Sequence, residues 1–258
     1  MVQLSKRLET IANMVPKGGT VADIGSDHAL LPVFLVETGT AQRAVAGEIN
    51  DGPLQAARKQ VAEAGLNDRI SVRQGDGLDV ISPGEADTIV IAGMGGGTIA
   101  DILTRGEAAG KLSGVSRLVL QPNIGERIVR EWFLSYGWKL VQERLLEEDG
   151  ITYEILVAEQ TSSCSDAEEH NRELYSKELP FAGFVPKELR LLMGPYLLSA
   201  PNRVFLEKWS AYADKLDRMI EQIGKSEALE AKRKRDALIE ERKGVKEVLA
   251  CLSEYVIS

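Results

Sequence analysis

The sequence predicts an α/β fold: a doubly wound, seven-stranded, mostly parallel sheet in residues 1–160, followed by an α-helical antiparallel coiled-coil domain in residues 161–258. Three observations carry this reading. Short β-branched apolar runs alternate with helical patterns through the first part of the chain, several of those runs end in Asp, Glu or Gly, and the last third shows helical periodicity without strands.

The N-terminal stretch MVQLSKRLETIANMV is amphipathic, with Leu4, Leu8, Ile11 and Val15 on one stripe, and it lacks the apolar segment and cleavage site of a signal peptide. Thr20–Ile24 is the first strand and precedes a helix over Ala29–Glu37. Arg43–Ile49 is the second, and the helix after it, Pro53–Ala64, stops at Gly65. Arg69–Gln74 alternates as a half-buried strand, whereas Ala86–Ala92 is apolar on both faces; a glycine cluster then opens a helix over Thr98–Arg105. Arg117–Gln121 is a fifth strand, with a helix from Glu126 to Tyr136. Lys139–Glu147 and Ile151–Glu159 flank Asp149-Gly150, a hairpin signal, because such a turn needs positive φ. A closing antiparallel hairpin after five strand–helix units resembles the Rossmann-like class I methyltransferases rather than the dinucleotide dehydrogenases.

Residues 161–171, TSSCSDAEEHN, are polar and without period and read as a linker. Beyond them Phe205, Trp209, Tyr212, Leu216, Met219 and Ile223 follow at alternating spacings of four and three, a coiled-coil seam. Gly224 and Ser226 mark a stop and a new N-cap, and Leu238, Val245, Leu249, Leu252 and Val256 form the stripe of a second helix. A short turn between two long helices makes the pair antiparallel.

Composition excludes several classes. No run of about 18 apolar residues exists to span a membrane. Cys164 and Cys251 lie far apart, without metal-ligand spacing, and read as free thiols of a reducing, cytoplasmic compartment. The net charge of −8 argues against strong nonspecific nucleic-acid binding, but it is uneven: residues 1–160 carry 15 basic and 22 acidic groups, residues 161–258 carry 16 and 17.

The first strand runs into Asp23, Gly25, Ser26, Asp27 and His28 and then into a helix. Open α/β sheets bind ligands at that edge. A pyrophosphate cradle would need further glycines after Gly25, and Asp23 and Asp27 would repel the phosphates. S-adenosylmethionine carries no phosphate and has a sulfonium and an ammonium that favour carboxylates. Glu48, with Ile49 after it, ends the second strand about 20 residues on, where an acid reaches ribose hydroxyls. Asp76 follows the third strand, placed to accept from an adenine amino group, with Gly77 leaving room beside the ring; Gly93, Met94 and Gly95 follow the fourth and supply backbone near the methionine end. Each position taken alone reads as a turn or a cap; together they point to this cofactor.

Four segments carry a family resemblance: Asp-Ile-Gly-Ser-Asp-His-Ala at 23–29, Ala-Gly-Met-Gly-Gly at 92–96, Leu-Gln-Pro-Asn at 120–123 and Tyr-Glu-Ile-Leu at 153–156. The chain resembles the bacterial tRNA adenine-22 N1-methyltransferases, and its C-terminal helices look like that family's extra domain. The resemblance implies methyl transfer from S-adenosylmethionine to N1 of an adenine in the tRNA D-arm region. Neutral N1 has an in-plane lone pair, so positioning and electrostatics rather than a strong base should supply the rate. Asp27 is the first candidate to stabilise the charge arriving on the base, with His28 second; the bland alternatives are an N-cap for Asp27 and a packing role for His28. Gln121-Pro122-Asn123, ending the fifth strand on the same sheet edge, could orient the base through its amides, with Asn123 the site candidate, or that tripeptide is a bend fixed by Pro122. Tyr153 could stack on the base or belong to the core.

Lys232, Arg233, Lys234 and Arg235 are consecutive cations on the last helix, with Arg242, Lys243 and Lys246 further along; they could meet phosphates or pair with Glu230, Glu240 and Glu241. Lys6 and Arg7 could extend that RNA surface. No metal is expected, and the chain reads as a monomer or weak dimer. A small-molecule methyltransferase and a non-catalytic RNA-binding module stay open as alternatives on the residues alone.

Overall fold

The computed structural model describes residues 2–161, 163–181, 183–225 and 228–257, and the chain divides into two compact units, Met1–Glu169 and His170–Ser258. The first unit contains one seven-stranded sheet in the order β3-β2-β1-β4-β5-β7-β6. Its strands are β1 (Gly19–Ile24), β2 (Ala41–Glu48), β3 (Ile70–Gln74), β4 (Thr88–Gly95), β5 (Arg117–Ile124), β6 (Lys139–Glu148) and β7 (Ile151–Glu159). The first five pair in parallel, and β7 enters antiparallel between β5 and β6. Helices α1 (Lys6–Ala12), α2 (Leu30–Glu37), α3 (Asp51–Glu63), α4 (Gly96–Ala108) and α5 (Glu126–Ser135) join or flank them. The central strands are parallel because their residues are apolar on both faces, as Ile89, Val90 and Ile91 of β4 are, all fully buried.

Two strands run further than the sequence predicts. β5 continues through Pro122 and Asn123, so Pro122 makes no bend; it sits at a register irregularity opposite Met94, where no ladder hydrogen bond is asked of it. β4 likewise extends to Gly95, and α4 begins at Gly96. Only glycine fits at 96, since a Cβ there would lie 2.2 Å from the Gly125 carbonyl oxygen. That close approach draws the ends of β4 and β5 together.

Under the hairpin lies a fully buried ion cluster. Arg130 of α5 donates from Nε to Glu143 of β6 at 2.6 Å and from its other side to Glu154 of β7. Glu154, part of the Tyr-Glu-Ile-Leu segment, thus anchors α5 to the hairpin.

The segment that reads as a linker is instead the start of α6 (Cys164–Ser176). Its buried positions, Ala167, Asn171 and Tyr175, recur every four residues, but only one is large and apolar, so the helical stripe is invisible to composition. The unit boundary falls inside this helix. The second unit continues with α7 (Lys187–Met193), α8 (Pro195–Ser199), α9 (Arg203–Ile223) and α10 (Leu229–Ile257). α9 and α10 are antiparallel: Tyr212 meets Glu241 at 2.6 Å, and further along α9 Gly224 lies beside Arg235. Phe205, Trp209 and Leu216 face inward as expected from α9, as do Val245 and Leu252 from α10. Ala213 and Val248 are also buried, off the expected spacing, while Tyr212 and Met219 are only half-buried. Gly224 caps α9; Ser226 lies outside the described residues, as do the side chains of Cys164 and Val256.

Candidate active site

The carboxyl ends of β1, β2, β3 and β4 open onto one cleft of about 670 Å³, a size that suits a nucleoside-bearing ligand. Asp23 and Gly25 line it from β1 and the turn after it, Glu48 and Ile49 from the end of β2. Asp76 and Gly77 enter after β3, and Gly93 and Met94 from the end of β4; Asp27 also contributes to the wall. Nine residues chosen on the sequence therefore converge. Ser26, His28, Gly95 and Asn123 lie beside this lining. Ser26 is buried, and its backbone N–H donates with that of Gly25 to the Gly47 carbonyl, each at 2.9 Å, which ties the β1 turn to β2.

Gly25 has a φ of 76°, and a Cβ there would lie 2.3 Å from the methyl carbon of Met94. The Met94 methyl thus takes the space that a side chain at 25 would need. Asp27 does not cap the next helix: the N-cap position of α2 is Ala29, with no side-chain cap. Its carboxylate instead lies 3.2 Å from His28 Nε2, and both side chains are more than half exposed. His28 and Ala29 are both in the left-handed region, at φ 58° and 51°. Non-glycine residues there cost of order 1–3 kcal/mol each, and such strain gathers at functional turns.

Asp23 is buried with Glu48 nearby, and its pKa is pushed up to about 6; burial is the main cause, Glu48 adds to it, and Ser26 and the Arg7 cation oppose it. Glu48 accepts three hydrogen bonds on one oxygen, from the backbone of Ile49 and Asn50 (2.9 Å each) and the Asn50 amide (3.1 Å). Its other oxygen has no hydrogen bond among the described residues and remains an acceptor at the cleft. Arg105 of α4 clamps Asp76 at 2.7 and 3.1 Å and holds its carboxyl below the usual range. Nothing in the spacing of Asp76 points to Arg105.

The N-terminal helix reads in sequence as a plain amphipathic element, yet Ser5, Arg7 and Leu8 line the cleft. Arg7, read in the sequence as part of an RNA surface, lines this cleft, where its NH1 donates to Gln121 at 2.6 Å and its guanidinium lies 5.3 Å from the Tyr153 ring centre. Lys6 donates to the Glu147 carbonyl at 2.9 Å. Asn123 donates to the Gly93 carbonyl at 2.8 Å and accepts from Gln121 at 3.1 Å, so of the two readings of Gln-Pro-Asn the bend gives way to a polar strand end.

In the second unit Lys232, Arg233 and Lys234 are exposed on α10, and Arg235 is half-buried beside Asp236. Arg242 and Lys246 pair with Asp217 of α9, at 2.5 and 2.7 Å, rather than with their own helix's glutamates. Among the described residues no group of three His, Cys, Asp or Glu is placed to hold a metal, and no helix is long and apolar enough to cross a membrane.

This sheet order and an acid-and-glycine cleft at its carboxyl edge define a class I methyltransferase. The chain belongs to the tRNA (adenine(22)-N(1))-methyltransferase (TrmK) family, whose model matches residues 21–244. The Bacillus subtilis (strain 168) tRNA (adenine(22)-N(1))-methyltransferase is 44% identical over 249 residues, 96% of this chain and 98% of its own. The crystal structure of the B. subtilis m1A22 tRNA methyltransferase TrmK matches with a TM-score of 0.84 over 96% of this chain and all of its own. Streptococcus pneumoniae Sp1610, solved in complex with S-adenosyl-L-methionine, matches at 37% identity and a TM-score of 0.76, over 96% of this chain and 100% of its own.

Proposed function

We propose that this protein transfers the methyl group of S-adenosylmethionine to N1 of adenine 22 in the D-arm region of tRNA. The cleft carries the reading: its carboxylates suit a cationic, phosphate-free cofactor, in a chain that matches an enzyme of this activity nearly end to end. The free oxygen of Glu48 receives the ribose hydroxyls, and Ile49, Gly77 and Asp76 hold the adenine of the cofactor, Asp76 accepting from its amino group. Asp23 receives the cationic methionine end, and Gly25, Ser26, Gly93, Met94 and Gly95 supply the backbone around it. When bound, S-adenosylmethionine supplies an electrophilic methyl group on a sulfonium.

The protein's own part is orientation and electrostatics. Positive charge passes to the target adenine as N1 is alkylated, and Asp27, at the cleft wall, stabilises it. His28 holds the Asp27 carboxylate from the side, and Asn123 orients the base. No side chain need remove a proton from N1 itself.

Residues 161–258 provide the tRNA contact, with the exposed Lys232, Arg233 and Lys234 meeting phosphates. The target base is flipped out of its helix to reach the cleft. The enzyme acts as a monomer or weak dimer, in the cytoplasm where tRNA is found. The test is transfer of labelled methyl from S-adenosylmethionine to unmodified bacterial tRNA, with the nucleosides separated. Label in 1-methyladenosine that disappears when adenine 22 is replaced is the expected result. Label in another nucleoside overturns the acceptor, and no label in RNA with cofactor still bound turns the reading to a small-molecule acceptor.

A further inference from the structure

We propose that Arg7 is a positioning residue for methyl transfer: through the buried amide of Gln121 it dictates which way the Asn123 amide faces. Arg7 is well seated. Ser5 caps α1 by accepting from the Leu8 N–H, the Arg7 backbone N–H donates to Glu148 at 3.3 Å, and Tyr153 lies under the guanidinium. From there NH1 donates to Gln121 Oε1 at 2.6 Å. Gln121 is fully buried within β5, and its Nε2 donates to the Pro122 carbonyl at 2.9 Å and to Asn123 Oδ1 at 3.1 Å. Asn123 Nδ2 then donates to the carbonyl of Gly93, in the cleft wall, at 2.8 Å.

Such a chain has a single direction. A guanidinium has donors only, so Gln121 must turn its oxygen to Arg7 and its NH2 to Asn123. Asn123 in turn must present its oxygen to Gln121 and its NH2 to Gly93. A turned Gln121 amide would set NH2 against guanidinium at a fully buried position, leaving donors there without acceptors. The second lone pair of Asn123 Oδ1 is then the acceptor this exposed residue offers at the strand end. An acceptor there fits the exocyclic amino group of an adenine, whose N–H bonds become better donors as N1 gains charge. The inference rests on reading Asn123 as the residue that meets the base. It adds that an N-terminal helix, 114 residues away in sequence from Gln121, sets the polarity of that contact.

The decisive variant is Gln121→Glu. It keeps Arg7 anchored, as an ion pair, but cannot donate to Asn123 Oδ1. Steady-state methylation of tRNA, calorimetric affinity for S-adenosylmethionine and thermal melting are measured for Gln121→Glu, Arg7→Ala, Arg7→Lys and Asn123→Ala. The expected result is a kcat lowered roughly 10- to 100-fold in Gln121→Glu, Arg7→Ala and Asn123→Ala. Cofactor affinity stays near wild type, Arg7→Ala melts a few degrees lower because the buried Gln121 Oε1 loses its donor, and Arg7→Lys recovers part of the kcat loss, because one donor to Gln121 survives. Gln121→Glu at the wild-type kcat overturns the relay. So does an Arg7→Ala variant that keeps kcat at saturating cofactor but binds S-adenosylmethionine weakly, since Arg7 would then serve the cofactor directly. Asn123→Ala at full activity removes the base-contact reading itself, a failure distinct from an impaired Asn123→Ala beside an unimpaired Gln121→Glu. If Gln121→Glu fails to fold, the half-buried Arg7 decides: equal kcat in Arg7→Ala and wild type overturns the proposal.

Discussion

At the end of β1, burial raises the pKa of Asp23 from 3.8 to about 6. In the ligand-free protein the folded state therefore favours the protonated form. Its contribution to stability is full below the unfolded value and is lost as the pH rises through about 6, a difference of about 3 kcal/mol at most. A cationic ligand reverses the preference, because it needs the carboxylate, so cofactor binding at acid pH must release a proton. Affinity for S-adenosylmethionine should thus be flat above pH 7 and fall about tenfold by pH 5. Isothermal titration across that range checks it, and Asp23→Asn should bind weakly with the slope removed; an affinity independent of pH in the wild type would refute the assignment. Gly25 makes a second residue-scale case. An alanine there would be held at φ 76°, a left-handed conformation costing about 1–2 kcal/mol, and would press on Met94. The Met94 methyl, the far end of a flexible side chain lining the cleft, is the contact that would have to give way. Gly25→Ala should lose cofactor affinity by more than about tenfold while melting only a few degrees lower, as titration and scanning calorimetry would show.

The element-scale counterpart is the ion cluster of Arg130 with Glu143 and Glu154, all without solvent exposure, which ties α5 to β6 and β7. Removing the cation leaves two carboxylates in a dry site, so Arg130→Met should cost about 3–5 kcal/mol, read as an earlier midpoint in urea unfolding. If Arg130→Met unfolds at the wild-type midpoint, the cluster is not what fastens the hairpin. The same elements show why some of the fold is legible in the sequence and some is not. β1, β2 and β4 can be read because strands buried on both faces are nearly continuous apolar runs. The ends of β4 and β5 cannot, since Gly95, Pro122 and Asn123 look like a turn until the close approach of Gly96 to Gly125 holds the two strands together. α6 escapes because its buried stripe is Ala167, Asn171 and Tyr175. In the cleft, the acid-and-glycine strand ends are visible because each follows its own strand directly. Arg105 is not, and neither is the bond of Gln121 to Arg7, because Arg105 and Arg7 come from elements distant from their partners. The place of Arg7 is hidden for that reason: its spacing beside Lys6 says nothing of the contacts it makes with Gln121 and Tyr153.

For the molecule as a whole, the question is how a chain of net charge −8 takes hold of a polyanion. Phosphate contacts need cations that no carboxylate has already claimed. Arg242 and Lys246 do not qualify: they hold Asp217 between them, and their hydrogen bonds, with their charge, lower its pKa. Arg233 and Lys234 are exposed on the same helix, and neither is paired with an acid among the described residues. The double variant Arg233→Ala/Lys234→Ala should raise the KM for tRNA and leave cofactor affinity unchanged. It should also lower the slope of log affinity against log salt by up to about 2, roughly 0.7–0.9 for each phosphate no longer neutralised. Arg242→Ala/Lys246→Ala predicts the opposite pattern. Its main effect falls on the α9–α10 pair, as a modestly lower melting temperature, because these exposed ion pairs are screened by solvent and each contributes little; the salt slope of tRNA binding stays as in the wild type. Filter binding of tRNA from about 50 to about 200 mM salt, the range over which such interactions weaken most visibly, separates the two. A slope unchanged in Arg233→Ala/Lys234→Ala but reduced in Arg242→Ala/Lys246→Ala would mean that Asp217 gives up its cations when RNA arrives, and the grip would then belong to the paired charges rather than the exposed ones.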